Sequence, residues 1–119
     1  MKRDMELIRK ILIEFEELPL NHKVDKFVIE GYSYDKIIYN TFLLEEAGLV
    51  EIIDTSDDDG KDFLPVKLIW KGHEFLDNIK NDNVWNSIKS LISSKGGNVA
   101  FSILKLVAEE KAKEIFGIQ

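Results

Sequence analysis

The chain of 119 residues predicts an α+β fold, and three observations carry that expectation. Apolar residues open the chain at helical spacing. From Ser33 to Trp70 the order is helix, glycine stop, strand, acidic turn, strand. Beyond Trp70 the apolar stripes are again helical. A helix, a short strand, a recognition-type helix and a hairpin wing, in that order, describe a winged-helix-like domain. Residues 4–70 are therefore expected to form a winged-helix-like core and 71–119 a C-terminal helical extension, with 1–119 counted as a single domain.

The first helix is expected to start after Asp4, whose carboxylate can accept from the orphan amides of the following turn. Ile8, Ile11, Phe15 and Leu18 share one side, Leu7 and Leu12 widen it, and Glu6, Lys10, Glu14 and Glu17 take the other. Pro19 ends it. Val24 to Ile29 alternates loosely and is rich in β-branched and aromatic residues, which predicts a short strand.

Ser33 is placed to cap the second helix, with Ile37, Thr41, Leu44 and Ala47 facing inward and Gly48 supplying a left-handed stop. Leu49 to Ile53 and Val66 to Trp70 follow as strands joined across Asp57-Asp58-Asp59-Gly60. Pro65 cannot donate to a ladder, which predicts an edge strand or a bulge near the start of the returning strand. Phe75, Leu76 and Ile79 define a further helix. Asn81-Asp82-Asn83 should kink or restart it, so that Val84, Trp85, Ile88, Leu91 and Ile92 continue the stripe. Ser93 to Gly97 is expected to be a break. A last helix from about Val99 to Phe116 should turn Ala100, Ile103, Leu104, Val107 and Ile115 inward, with Gly117 as its stop. Trp70 and Trp85 are both expected in the core.

The composition, 45% hydrophobic and 32% charged, belongs to a globular chain rather than a disordered one. No apolar run approaches the roughly 20 residues that span a bilayer. The opening Met1-Lys2-Arg3-Asp4 leads into an amphipathic helix rather than a signal-peptide core, so a cytoplasmic location is expected and no membrane contact. Without cysteine there are no disulfides, thiolate nucleophiles or cysteine-type zinc sites.

Charge is the main functional signal. The formal net charge is −6. Ser33 to Ala47 holds Lys36 against Asp35, Glu45 and Glu46, and Asp54 to Asp62 holds five aspartates against Lys61. The two elements that a winged helix turns toward DNA thus carry the whole net charge, and phosphate would be repelled there.

Enzymatic motifs lack essential parts. His73-Glu74-Phe75-Leu76-Asp77 mimics a zinc-protease helix, but aspartate stands where the second imidazole belongs and His22 lies in another segment. An exposed i, i+4 pair is the simpler expectation. Asp57, Asp59 and Gly60 match the third, fifth and sixth places of a calcium loop, yet that register puts Thr55 first and Val66 twelfth, where a bidentate glutamate is required. A solvated turn that discourages sheet-edge pairing explains these aspartates. No serine sits in a nucleophile elbow, and Gly96-Gly97 fits no phosphate loop. No catalytic residue, metal, cofactor or small-molecule ligand is expected.

The outward face of the second helix offers Lys36, Ile38, Tyr39, Asn40, Phe42 and Leu43. A major-groove reader needs polar and basic side chains, and here only Lys36 and Asn40 qualify. Ile38, Tyr39, Phe42 and Leu43 suit either a protein partner or cover by the chain's own helices. Direct DNA binding, the rival, needs phosphate contacts from Lys2, Arg3, Arg9 and Lys10 beside Lys36 and Asn40.

Four stretches, MKRDMELIRKIL (Met1 to Leu12), GYS (Gly31 to Ser33), LLEEAGL (Leu43 to Leu49) and WKGHEFLDNIKND with VW (Trp70 to Asp82, Val84-Trp85), resemble a family of small bacterial, phage and prophage proteins catalogued as a domain of unknown function. LLEEAGL is shared by many winged helices, whereas the opening and the WKGHEFLD block are more specific. Asn40 departs from the family, where histidine is expected, as does Ile69, where threonine or serine commonly precedes the tryptophan. The resemblance implies a phage or mobile-element origin and a winged-helix fold, and it carries over no site residue. A regulatory or accessory protein is expected, acting through a protein partner or as a homodimer built on the last helix and the apolar face around Phe42.

Overall fold

The computed structural model describes residues 1–96 and 100–117. The fold is α+β: α1 (Met5–Glu17), α2 (Tyr34–Glu46), β1 (Val50–Asp54), β2 (Phe63–Leu68), α3 (Trp70–Ile79), α4 (Asp82–Ser94) and α5 (Phe101–Phe116), with β1 and β2 forming one antiparallel sheet. It divides into two compact units, Met1–His73 and Glu74–Gln119. No helix of the described residues is long and apolar enough to cross a membrane.

In the first unit, α1 begins where Asp4 accepts the Leu7 amide at 3.1 Å. It buries Leu7, Ile8, Ile11, Leu12 and Phe15. α1 packs on α2 and β2, and α2 on β1. Ser33 caps α2 by accepting the Lys36 amide, and Gly48 follows its end with φ +75°, a backbone that side-chain-bearing residues avoid. Ala47, expected inward, is instead an exposed helix-end residue, because the helix has already turned into its stop.

The segment Val24 to Ile29 is not a strand. Phe27 and Ile29 are buried while Val28 between them is exposed, so the alternation seen in the sequence holds, but no ladder forms. His22 makes the link to the sheet. Its Nε2 lies 3.0 Å from the Val66 carbonyl, and its Nδ1 accepts the Val24 amide at 3.2 Å. A ring whose Nδ1 accepts carries its proton on Nε2, so His22 donates to Val66.

β2 starts at Phe63, three residues before the expected Val66, and runs through Pro65. Glu51 pairs with Lys67 and Ile52 with Pro65, which leaves Val66 as the extra residue of a bulge. The bulge expected near Pro65 is thus present. It also explains why the Val66 carbonyl turns to His22 rather than to a strand. Asp57 and Gly60 exchange two backbone hydrogen bonds, at 3.0 and 3.1 Å, around the tip.

Trp70 is neither strand nor core: it opens α3 and is 78% exposed. In the second unit, Asn81 caps α4 by accepting the Asn83 and Val84 amides, so the polar patch restarts the helix. Val84, Trp85 and Ile88 are buried. α5 packs on α4 and buries Leu104, Ala108 and Ala112, an i, i+4, i+8 stripe. The expected inward face is corrected: Ile103 and Ile115 are exposed, as is Ala100, and Val107 is half-buried. Alanines allow close helix approach, and their low hydrophobicity hid the true stripe from a count of large apolar residues. Gly117 ends α5 in the left-handed region. The expected break from Ser93 to Gly97 begins later, because Ser93 and Ser94 still belong to α4 and the chain leaves the helix at Lys95 and Gly96; Gly97 and the expected helix start at Val99 lie outside the described residues.

Candidate protein-contact surface

An aromatic cluster fixes the geometry around α2 and the hairpin. Phe63, fully buried, has ring centroids of Phe27, Tyr34 and Phe42 at 6.2, 6.5 and 6.3 Å, and Phe15 meets Phe27 at 5.0 Å. These separations lie within the range of favourable ring pairs. Two further contacts latch the hairpin base to α2. Tyr34 donates its hydroxyl to Asp62 Oδ1 at 2.7 Å, and the Lys61 ammonium sits 4.4 Å from the Phe42 ring centroid. The Lys26 ammonium lies 5.0 Å from the Tyr34 ring centroid. Burial, together with the Asp62 carboxylate, pushes the Tyr34 hydroxyl well above the ordinary tyrosine value.

The acidic tip is self-organised. Asp57 Oδ1 accepts the Asp59 amide at 2.8 Å, and Asp54 Oδ1 accepts the Ser56 amide at 2.9 Å. The Ser56 hydrogen bonds hold the Asp54 carboxyl below its ordinary value. Asp57, Asp58 and Asp59 are exposed. Among the described residues no group of three or more histidines, aspartates and glutamates is placed to hold a metal ion. His73 and Asp77 are both exposed on α3.

The expected partner face is split. Ile38 is buried, Phe42 and Leu43 are half-buried, and Tyr39 is 37% exposed. Phe42 owes its cover to Phe63 and Lys61, that is, to the hairpin.

The DNA-facing set is rearranged more deeply. Asn40 is fully buried: its Oδ1 accepts the Asp4 amide at 2.9 Å and its Nδ2 donates to the Lys36 carbonyl at 2.9 Å. Lys36 pairs with Asp4 at 3.3 Å, and its ammonium lies 5.6 Å from the Tyr32 ring. Lys10 reaches the same ring at 5.3 Å. Tyr32 titrates above its ordinary range, first through burial and then through Asp4 and Glu6, so carboxylates lie among these bases. Lys2 and Arg3 are exposed and Arg9 is half-buried.

Sequence reasoning missed Tyr34, Lys61, Asp62 and Phe63 as the latch. The partners Tyr34 and Asp62 are 28 residues apart, and no local pattern announces that pairing. Their only signal was position: Tyr34 follows the helix cap, and Lys61-Asp62 follows the turn glycine.

A family model described as hypothetical protein (DUF2513) matches residues 2–98. An uncharacterized protein of Haemophilus influenzae is 39% identical over 112 residues, covering 92% of this chain and 93% of that one. No solved structure matches the chain.

Proposed function

We propose that this chain, which belongs to the DUF2513 family of hypothetical proteins, is a winged-helix-like regulatory or accessory protein of mobile-element type that acts through protein contacts. Helix α2 takes the recognition position and the β1–β2 hairpin the wing. The observation that carries this function is the fate of the polar residues on α2. Asn40 is buried with its amide committed to backbone groups, and Lys36 is ion-paired with Asp4. Neither is left to read a base edge or to neutralise phosphate. What α2 offers to solvent is Tyr39 with the partly exposed Phe42 and Leu43, alongside the exposed carboxylates Asp35, Glu45 and Glu46 of the same helix. An aromatic and aliphatic patch beside carboxylates suits a protein partner with an apolar centre and a basic rim.

Fluorescence anisotropy with a labelled duplex, read between 50 and 200 mM salt, tests the choice. The expected result is no saturable binding. A submicromolar affinity that falls about a thousandfold across that range overturns it, since such a slope reports counterion release by several phosphate contacts. Lys2, Arg3, Arg9 and Lys10 are the bases whose replacement should then abolish binding.

A further inference from the structure

A second surface lies on the first unit, adjoining the aromatic cluster through Phe27 and sharing Lys10 with the residues already described. Helix α1 and the chain at 28–30 enclose an open groove of about 470 Å³, lined by Lys10, Ile13, Glu14, Val28, Ile29 and Glu30. Three properties coincide there. Its apolar wall includes Val28, a β-branched side chain 67% exposed between the buried Phe27 and Ile29. Its backbone is open: among the described residues no hydrogen bond reaches the peptide groups of Phe27 or Val28. Its rim is anionic, because no base among the described residues pairs with Glu14 or Glu30, while the Lys10 ammonium is drawn to the Tyr32 ring.

We propose that this groove receives an extended, basic segment of a protein partner, paired through its backbone with Phe27–Ile29. An unpaired, strand-like edge is a template for one more strand, and main-chain pairing is specific to a polypeptide. Alternate side chains of the added strand would point to one face, so an apolar residue can rest on Ile13 and Val28 while its neighbours reach outward. The charge of the occupant follows from the surroundings. Met1–His73 contains 10 basic residues and 16 carboxylates, so it bears the entire net charge, whereas Glu74–Gln119 balances six against six. A second copy would bring its own acidic unit, and a nucleic acid its phosphates. A basic polypeptide is the occupant that meets Glu14 and Glu30 without repulsion.

The proposal rests on the premise that the chain works through protein contacts, and its test separates the two. Whole ¹⁵N-labelled protein is titrated with a synthetic octapeptide of alternating lysine and valine, and with its glutamate–valine counterpart. The lysine peptide should shift the resonances of Phe27, Val28 and Ile29 and slow hydrogen exchange at alternate amides of that segment, those on the edge facing the added strand; the glutamate peptide should not. Glu14→Lys combined with Glu30→Lys, both exposed, should weaken the lysine peptide about tenfold, and the spectrum itself reports that the variant is folded. Shifts that avoid 27–30, equal response to both peptides, or indifference to the charge reversal overturns the groove assignment and leaves the protein-contact function standing. Duplex binding in the anisotropy assay overturns that function instead.

Discussion

Asn40 on α2 accepts the backbone amide of Asp4, 36 residues away, at 2.9 Å, and so satisfies one of the orphan donors at the start of α1. Asp4 in turn binds Lys36, one helical turn before Asn40. The two helices are therefore joined at one end by a reciprocal polar clasp within an otherwise apolar contact. Replacing Asn40 by alanine should destabilise the fold by about 1–3 kcal/mol, because the Asp4 amide loses its acceptor in a partly buried place. Asp4→Asn keeps an oxygen for the Leu7 amide and loses only the half-exposed ion pair, a change of at most about 1 kcal/mol. Urea denaturation of the two variants should rank them in that order.

Thr41 is the opposite case. It is fully buried, and its hydroxyl has no hydrogen-bond partner. Thr41→Val removes an unsatisfied polar atom and should leave stability unchanged or raise it by about 1 kcal/mol. A fall in the urea midpoint would indicate a partner for the hydroxyl.

The Tyr34 to Asp62 latch predicts alkaline sensitivity. Tyr34 keeps its proton in the folded chain to a higher pH than in the unfolded one, so its contribution is fully present below about pH 10 and is lost as pH rises beyond it. Thermal midpoints between pH 8 and 11.5 should fall more steeply for the native protein than for Tyr34→Phe. Parallel curves would refute a role for this hydrogen bond in holding the hairpin.

Gly72 in the first turn of α3 has no room for a side chain. A Cβ there would overlap the Leu49 carbonyl oxygen and come within 2.6 Å of Leu68 Cδ1. Backbone cannot yield as a flexible side chain does, so Gly72→Ala should cost about 3 kcal/mol or more. Gly60→Ala, in open space at φ +133°, carries only backbone strain of about 1–3 kcal/mol. Circular-dichroism melts of both variants check the order.

On α5 the sizes of effect should invert what residue type alone implies. Ala108 is fully buried and Ile103 is 51% exposed. Ala108→Leu should overpack the contact with α4 and cost about 1–3 kcal/mol, whereas Ile103→Ser should change stability by about 0.5 kcal/mol or less. Differential scanning calorimetry on the two single variants measures the contrast.

The sequence by itself determined the α+β class, the caps at Asp4 and Ser33, the restart of the helix at Asn81-Asp82-Asn83, the glycine stop after α2 and the turn at Asp57 to Gly60. All of these rest on interactions within a few residues, so local chemistry suffices to specify them. It also exposed the acidic hairpin, since formal charge needs no coordinates. Only the tertiary structure decided that Val24–Ile29 stays unpaired, because a strand is defined by a neighbour and not by its own alternation. Contacts spanning tens of residues likewise took Asn40 into the interior and set Tyr34 on Asp62. On α5, close packing chose alanines over isoleucine, because shape at the α4 contact outweighed side-chain hydrophobicity.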